Sequence, residues 1–234
     1  MKNKFIAFIF LLFISFGAFA QNINQTDAAG KRNGVWKGTY ESKRPRYEGM
    51  FDHGKETGTF KFFEDNKAST LTATRTFAAD GSCITTFFDA KGKKISEGKE
   101  VNKLKEGEWK FYAEGTETLL STEPYNKGKL NGVKKVYFSN GNLAEEAAYV
   151  NGVKEGIYKQ YTEKGIVLEE SIYKNDKLNG PATFKNAHGE VVSQGQFSDN
   201  IKTGKWIFFE KGKMVKEEDM SKRKVQLARK ERKN

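Results

Sequence analysis

The sequence predicts an all-β fold: an elongated, single antiparallel sheet that runs as a meander of about eight hairpins and ends in a short C-terminal helix. Three observations support this prediction. The chain has 19 Phe, 9 Tyr, 3 Trp and 23 Gly but only 3 Pro in 234 residues, a mixture typical of short strands and tight turns. Glycines recur with a period of about 24 residues, and a second series of mostly aromatic residues recurs with the same period.

The N-terminal 20 residues have the pattern of a secretory signal. Lys2 and Lys4 precede an apolar stretch at 5–16, and a small-x-small site ends at Ala20. The apolar stretch is shorter than the roughly 20 residues that a spanning helix needs, which disfavours a membrane anchor. We therefore expect cleavage near Ala20, export to the periplasm or the medium, and an N-terminal linker at 21–29.

The repeat is defined by seven glycines and confirmed by a second series. Successive glycines are separated by 24, 49, 25, 24, 24 and 24 residues, so the gap of 49 spans two periods and holds a degenerate unit at 81–103. The repeat-defining glycines are Gly34, Gly58, Gly107, Gly132, Gly156, Gly180 and Gly204. The second series, at the predicted end of the second strand of each unit, consists of Phe51, Phe77, Val101, Tyr125, Tyr149, Tyr173 and Phe197.

Each unit is predicted to be a β-hairpin. In the unit that begins at Gly132, residues 133–138 form one strand, 139–142 a turn and 143–150 the second strand, and the pair at 151–152 turns into the next unit. Further Asn-Gly pairs at 33–34, 131–132, 140–141 and 179–180 are assigned to the same kind of turn, because both residues tolerate positive φ. The repeat domain is placed at 30–217.

The best-preserved units resemble a known family. The segments GKLNGVKKVYFSNGNL (128–143) and GVKEGIYKQY (152–161) are similar to bacterial MORN repeats, in the variant found in the YwqK-type antitoxin-like family. The resemblance covers roughly 30–217 and departs at 81–103 and at 181–185, where Lys185 stands in place of the usual aromatic residue. It implies an elongated, curved antiparallel β-meander that acts through protein or membrane contacts, and it implies no catalysis.

Strand alternation places two kinds of side chain on opposite faces. Aromatic residues two and four positions after the glycines, such as Trp36, Phe60 and Trp109, are predicted to pack between repeats. Position +3 is lysine in five units and position +5 is aromatic in five. Equivalent residues of successive repeats are expected about 9.6 Å apart, so they form ladders. The ladder residues are Lys37, Lys61, Lys110, Lys135 and Lys159, with Phe63, Tyr112, Tyr137, Tyr161 and Phe209.

Two interpretations of these ladders remain open. Cations beside aromatic rings suit an anionic partner such as a phospholipid surface, a glycan or an acidic protein face. Alternatively, the glutamates of the returning strands, such as Glu146 and Glu170, pair with the lysines and leave a solvated surface, each pair contributing about 0.2 to 1 kcal/mol. The candidate partner-binding residues are Lys110, Lys135, Lys159, Tyr112, Tyr137, Tyr161 and Phe209.

The net charge of +11 belongs mainly to the two ends of the chain. The signal carries +2 and residues 222–234 carry +6, which leaves +3 for the body and disfavours nucleic-acid binding. Residues 218–234 are predicted to form a basic helix or tail, with helix formers from Lys216 onward. It serves either as a cap on the last strand or as an arm that binds an anionic membrane surface.

Catalysis and metal binding are disfavoured. A single cysteine, Cys83, excludes an intrachain disulfide, and with only His53 and His188 it leaves too few ligands for an ordinary structural zinc site. Adjacent carboxylates such as Glu145 and Glu146 point to opposite faces of a strand, so they do not form a glycosidase pair. We expect no enzyme activity and no cofactor.

The preferred functional interpretation is an exported, non-enzymatic interaction or scaffold protein that recognises a partner, most simply another protein, at the cell envelope. One alternative is a binder of membrane surfaces or polyanions through the lysine ladder and the basic tail. A second alternative, implied by the family resemblance alone, is neutralisation of a toxin. The sequence identifies neither the partner nor the oligomeric state.

Overall fold

The computed structural model describes residues 22–221, and the regular structure of this part of the chain consists of eighteen β-strands. The strands are β1 (Gln25–Thr26), β2 (Arg32–Thr39), β3 (Pro45–Asp52), β4 (Lys55–Phe63), β5 (Leu71–Phe77), β6 (Cys83–Phe88), β7 (Lys94–Val101), β8 (Leu104–Tyr112), β9 (Leu119–Asn126), β10 (Lys129–Leu130), β11 (Gly132–Tyr137), β12 (Leu143–Val150), β13 (Val153–Tyr161), β14 (Val167–Lys174), β15 (Lys177–Lys185), β16 (Val191–Ser198), β17 (Ile201–Glu210) and β18 (Lys213–Asp219).

The strands form one antiparallel sheet in which successive strands are hydrogen-bonded neighbours. The exception is β10, which pairs with β9 beside β11, so that β10 and β11 act as one strand interrupted at Asn131. The predicted all-β meander is confirmed. The degenerate unit is also regular in its pairing, since β6 and β7 form an ordinary antiparallel hairpin.

The repeat glycines lie at bulges within strands. All seven have φ between +63° and +131°, a region that residues with a Cβ rarely adopt. In five units the register also shifts at the glycine, so that the first strand of the unit carries two extra residues relative to the preceding strand. The assignment of the Asn-Gly pairs at 33–34, 131–132 and 179–180 to hairpin turns was therefore wrong, because their glycines lie within strands β2, β11 and β15.

Six of the seven links between units are two-residue turns, and the seventh, between β5 and β6, spans residues 78–82. The predicted turn at Asn151-Gly152 is confirmed, with φ of +52° and +90°. Positive φ at both central residues matches the right-handed twist of the flanking strands, as in type I′ turns. Only one of these six turns is Asn-Gly; the others are His53-Gly54, Asn102-Lys103, Lys127-Gly128, Asn175-Asp176 and Asp199-Asn200. Lys211-Gly212 forms the same kind of turn inside the last unit, between β17 and β18.

The core lies on one side of the sheet, here called the ring face, which carries the residues at positions +2 and +4. Trp109 and Trp206 are both 0% exposed although residues 22–221 form no second layer over them. Each tryptophan lies over a glycine of the preceding strand, Gly98 or Gly195, where an added Cβ would overlap the indole. Each indole N–H also donates to a backbone carbonyl of that strand, at 3.0 and 3.1 Å.

A column of small residues therefore runs beneath the rings. Its members are Gly49, Ala73, Gly98, Ala147, Ser171 and Gly195, and Glu123 occupies the equivalent position in the unit that begins at Gly107. Where Glu123 replaces the small residue, Lys134 replaces the ring, and their charged groups lie 2.8 Å apart. Glu123 also accepts a hydrogen bond from the Tyr125 hydroxyl at 2.7 Å. An ion pair thus replaces the ring-on-glycine contact in the middle of the sheet.

The two ends of the sheet differ. At the N-terminal end, β1 lies within the segment predicted as a linker and pairs with β2, and the Asn24 side chain bonds both the backbone N–H and the carbonyl of Lys37, at 2.8 and 3.1 Å. At the C-terminal end, residues Lys213–Asp219 are strand β18, so the helix predicted from Lys216 is wrong at its start. Residues 222–234, which carry the rest of the predicted helix, lie outside the described residues.

Candidate functional site

In four units of the ring face, a basic side chain of the same unit covers the aromatic rings. The residue two positions before the repeat glycine is basic in four units, and its charged group lies above the rings of its own unit. The Lys154 Nζ is 3.7 Å from the centre of the Tyr158 ring and 4.0 Å from that of Tyr173. Equivalent contacts are made by Arg32 over Trp36, Lys105 over Trp109 and Lys202 over Trp206.

Burial affects the charge of these lysines. Desolvation lowers the pKa of both Lys105 and Lys154 below the ordinary lysine value, and nearby carboxylates such as Glu145 partly oppose this shift. The aliphatic stems cover ring surface while the ammonium groups contact the ring faces. In these four units the rings therefore already have cationic partners from within the chain, whereas Phe87, on the same face of the degenerate unit, is 37% exposed.

The opposite side of the sheet, here called the ladder face, carries the lysines and aromatic residues at positions +3 and +5. Lys135 forms an ion pair with Glu146 at 3.8 Å, and Lys159 forms one with Glu170 at 3.6 Å. Near the N-terminal end, Lys37 and Lys61 both contact Glu48, at 3.6 and 3.2 Å. Lys110 stands opposite Glu97 on the adjacent strand. The expected self-pairing of the ladder is observed.

The candidate aromatic residues of the ladder face are also engaged within the chain. The Tyr112 hydroxyl donates to Glu97 at 2.6 Å, and the Tyr161 hydroxyl donates to Glu146 at 2.7 Å. Burial and these carboxylates raise the pKa of Tyr112 and of Tyr161 to about 12. The Tyr137 hydroxyl lies 3.5 Å from that of Thr122. The structure thus places the predicted residues on one face, while Phe209 lies far along it, opposite Met214.

Direct register pairing joins the central charges into one line across six strands, here called the charge row. Successive members are cross-strand partners from β9 to β15; the two end members are threonines, and the four members between them alternate in charge. The charge row consists of Thr122, Lys135, Glu146, Lys159, Glu170 and Thr183.

A second line of residues on the ladder face was missed by sequence reasoning. It runs beside the charge row on the same six strands and is here called the apolar row: Pro124, Val133, Ala148, Ile157, Ile172 and Pro181. Val133 is 46% exposed and Ile157 is 53% exposed. The row ends at polar residues on both sides, because Glu108 pairs with Pro124 and Gln196 pairs with Pro181. The apolar residue immediately after Gly132 and after Gly156 is the feature of the sequence from which this row could have been predicted.

Other chemistry-bearing residues form no reactive cluster in residues 22–221. No group of three or more His, Cys, Asp or Glu side chains in this range could hold a metal ion. Cys83 is buried, and burial raises the pKa of its thiol. His53 lies in the β3–β4 turn, where its Nδ1 is 2.6 Å from the Asp27 carboxylate, which raises the pKa of the imidazole. Within the same range, no helix is long and apolar enough to cross a membrane.

Comparison with known families identifies two of the central units. Residues 130–151 and 154–175 match the model of the MORN repeat variant, and these segments contain most of the charge row and of the apolar row. No curated protein is significantly similar in sequence to the chain. The resemblance to MORN repeats is thus confirmed for these units, and it indicates a repeat protein of the binding or scaffold type.

Proposed function

We propose that this chain is a non-enzymatic scaffold that binds a protein partner through the ladder face, at its central repeats. Each repeat contacts mainly its neighbours, so the architecture offers a long surface for binding. The ring face is occupied by its own cations and small residues, whereas the ladder face presents apolar side chains to solvent. The apolar residues at 133 and 157 belong to the units that match the MORN repeat variant.

One observation carries this proposal: the contrast in exposure between the two faces. Trp109 and Trp206 are fully covered, while Ile157 on the other face is 53% exposed and lies beside the paired Lys159 and Glu170. An exposed apolar patch with a rim of polar residues is typical of a protein interaction site. The polar rim adds register and specificity more than affinity, because its charges are already paired.

A photocrosslinking experiment tests the proposal. A benzophenone amino acid replaces Ile157 in one variant and Lys164, in the exposed β13–β14 loop, in a matched control, and both are expressed in the native cell. We expect Ile157 to yield a discrete crosslinked band whose mass identifies a heterologous protein, and Lys164 not to yield that band. Equal bands from both positions, or none from Ile157, would contradict the proposal.

Binding to a polyanion is the second candidate, supported by the lysines of the ladder face. Their pairing with Glu48, Glu146 and Glu170 weakens it, because each pair leaves little net positive charge on the described surface. The basic residues 222–234, which would act as an arm, lie outside the described residues. Binding to vesicles with anionic lipid is expected to be weak and to fall steeply between low and physiological salt. Binding to a protein through the apolar row is expected to change little over that range.

The cellular location follows from the N-terminal sequence pattern. We place the protein outside the cytosol, at the cell envelope, with cleavage near Ala20. A fractionation experiment with N-terminal sequencing tests this, and a cytosolic protein that retains residues 1–20 would contradict it. Toxin neutralisation, which rests on the resemblance to the YwqK-type family, stays a prediction that no contact of the ladder face favours over other protein binding.

A further inference from the structure

Each row of the ladder face ends in the same residue type on both sides, and reading the charge row in reverse inverts the sign of every charge. The charge row runs Thr, Lys, Glu, Lys, Glu, Thr, and the apolar row runs Pro, Val, Ala, Ile, Ile, Pro, both from β9 to β15. Reversal exchanges the two ends of each row, so threonine meets threonine and proline meets proline. In the charge row, reversal also exchanges every positive position with a negative one.

This pattern is complementary to itself in one orientation. If a second molecule faces the first across a two-fold axis that runs parallel to the strands and passes between β12 and β13, the order of the strands is reversed and positions along the strands are kept. Lys135 then faces Glu170 of the second copy, and Glu146 faces its Lys159. A two-fold axis in the sheet plane but perpendicular to the strands would place like charges over like charges, so the charges select a single arrangement.

We propose that a second copy of this chain docks on the central ladder face, with apolar row on apolar row and charge row on charge row. In this arrangement Val133 packs against Ile172 and Ala148 packs against Ile157 across the interface. Aligned packing of two sheets in this way is common in β-proteins. The contact is isologous, as expected of a two-fold dimer, because the same residues serve both partners.

The dimensions predict a weak complex. Six strands at about 4.8 Å spacing give a patch about 24 Å long, and positions +1 to +5 extend about 13 Å along each strand. The resulting area, on the order of 300 to 400 Å² per partner, falls below the roughly 800 Å² of a standard stable interface. We therefore expect a reversible dimer with a dissociation constant in the micromolar to millimolar range.

Charge swaps test the proposal while keeping an ion pair at positions 135 and 146 and at positions 159 and 170. The double variant Lys159→Glu, Glu170→Lys keeps an ion pair between positions 159 and 170 within each chain. In the proposed dimer, however, position 135 would then face a like charge at position 170 of the second copy, and position 146 would face a like charge at position 159. The double swap places a second carboxylate beside Glu146 on the neighbouring strand, so its effect on folding has to be measured as well. Sedimentation equilibrium of the purified mature protein, residues 21–234, should show a dissociation constant at least about tenfold higher for this variant. Its melting temperature serves as the control for folding.

A quadruple variant restores the alternation and supplies a second measurement. Swapping Lys135 with Glu146 as well as Lys159 with Glu170 gives charge rows that are again complementary between identical copies, so self-association should return. The quadruple variant should not associate with the wild-type chain, because their rows then place like charges opposite each other. Ile157→Lys should abolish association, and Ile84→Lys, equally placed on this face but outside both rows, should leave it unchanged.

The outcomes separate this proposal from the one above. A wild-type chain that stays monomeric up to about 1 mM would overturn the dimer, as would association that is insensitive to both sets of charge swaps. Purified protein is used throughout, so a failed dimer leaves binding of a heterologous protein untouched. Likewise, a crosslink from Ile157 to a heterologous protein in cells does not test the dimer, which sedimentation equilibrium alone decides.

Discussion

Trp109 and Ile157 occupy neighbouring positions of the repeat, +2 and +1, yet one is 0% and the other 53% exposed. The difference arises from what the chain places around each. The Trp109 ring lies over Gly98, contacts Phe111 at 6.4 Å between ring centres and is covered by Lys105. Among the described residues, no comparable layer of side chains covers Ile157. A single-layer sheet can therefore build a dry core on one side alone, which leaves the other side available for binding.

The comparison also shows how the ring face is sealed without a second layer. Small residues beneath the rings let the aromatic side chains lie flat on the backbone, and basic residues cover the rings from above. Phe60 and Phe77 add edge-to-face contacts, with ring centres 5.5 Å apart. Because equivalent contacts recur along the sheet, damage to one repeat is passed mainly to its neighbours.

The largest expected effect is the loss of a covered ring. Trp109→Ala should lower the free energy of unfolding by about 3 to 5 kcal/mol, because it leaves a cavity over Gly98 and removes the ring that Lys105 contacts. Ile157→Ala, the matched truncation on the ladder face, should change it by about 0.5 kcal/mol or less. Urea denaturation followed by circular dichroism measures both. Similar losses for the two variants would remove the distinction between the faces.

An intermediate effect is expected where the ion pair replaces the ring. Glu123→Ala should destabilise the protein by about 1 to 3 kcal/mol, because Lys134 is left half-buried without its partner. The double variant Glu123→Gly, Lys134→Trp recreates the ring-on-glycine contact of the neighbouring units. It should be more stable than either single variant, since each single change leaves an unmatched partner. Additive losses in a double-mutant cycle would show that the two positions are not coupled.

The smallest effect is a change in stability at high pH that depends on Tyr112 of the ladder face. The pKa of Tyr112 is raised to about 12 by burial and by Glu97, whereas an unfolded tyrosine ionises near 10. Between these values the folded chain holds more protons than the unfolded chain, so this contribution to stability is complete below pH 10 and is lost as pH rises towards 12. Tyr112→Phe should make the decline of the urea midpoint between pH 9.5 and 11.5 shallower. An unchanged slope would show that Tyr112 does not contribute.

Much of this arrangement could be predicted from sequence because alternation and period are local properties. The strand Leu143–Val150 has the predicted bounds, and the rings and lysines lie on opposite faces as expected. The basic residues over the rings were missed, although Lys105, Lys154 and Lys202 recur near the period. The reason is that their position before the glycine becomes meaningful only when a bulge brings it over the same ring.

Long-range compensation could not be predicted. Nothing near Glu123 in the sequence shows that Lys134 will meet it, because the pairing depends on the register of β9 with β11. The contact of Asn24 with β2 was missed for a similar reason. The Asn24 side-chain amide bonds the backbone N–H and carbonyl of Lys37, which the backbone of a neighbouring strand would otherwise bond. At the other end, Lys216–Asp219 contains helix formers, but pairing with β17 overrides that preference.

Carbene footprinting of the purified mature protein tests the division between the faces most directly. The reagent modifies side chains in proportion to their exposure, and mass spectrometry locates the modified residues. Val133 and Ile157, at 46% and 53% exposure, should be labelled readily, while Trp109 and Trp206, at 0%, should remain unlabelled until the chain is unfolded. Labelling of the two tryptophans in the folded protein at the level of Ile157 would contradict the claim that the chain seals one face and leaves the other for binding.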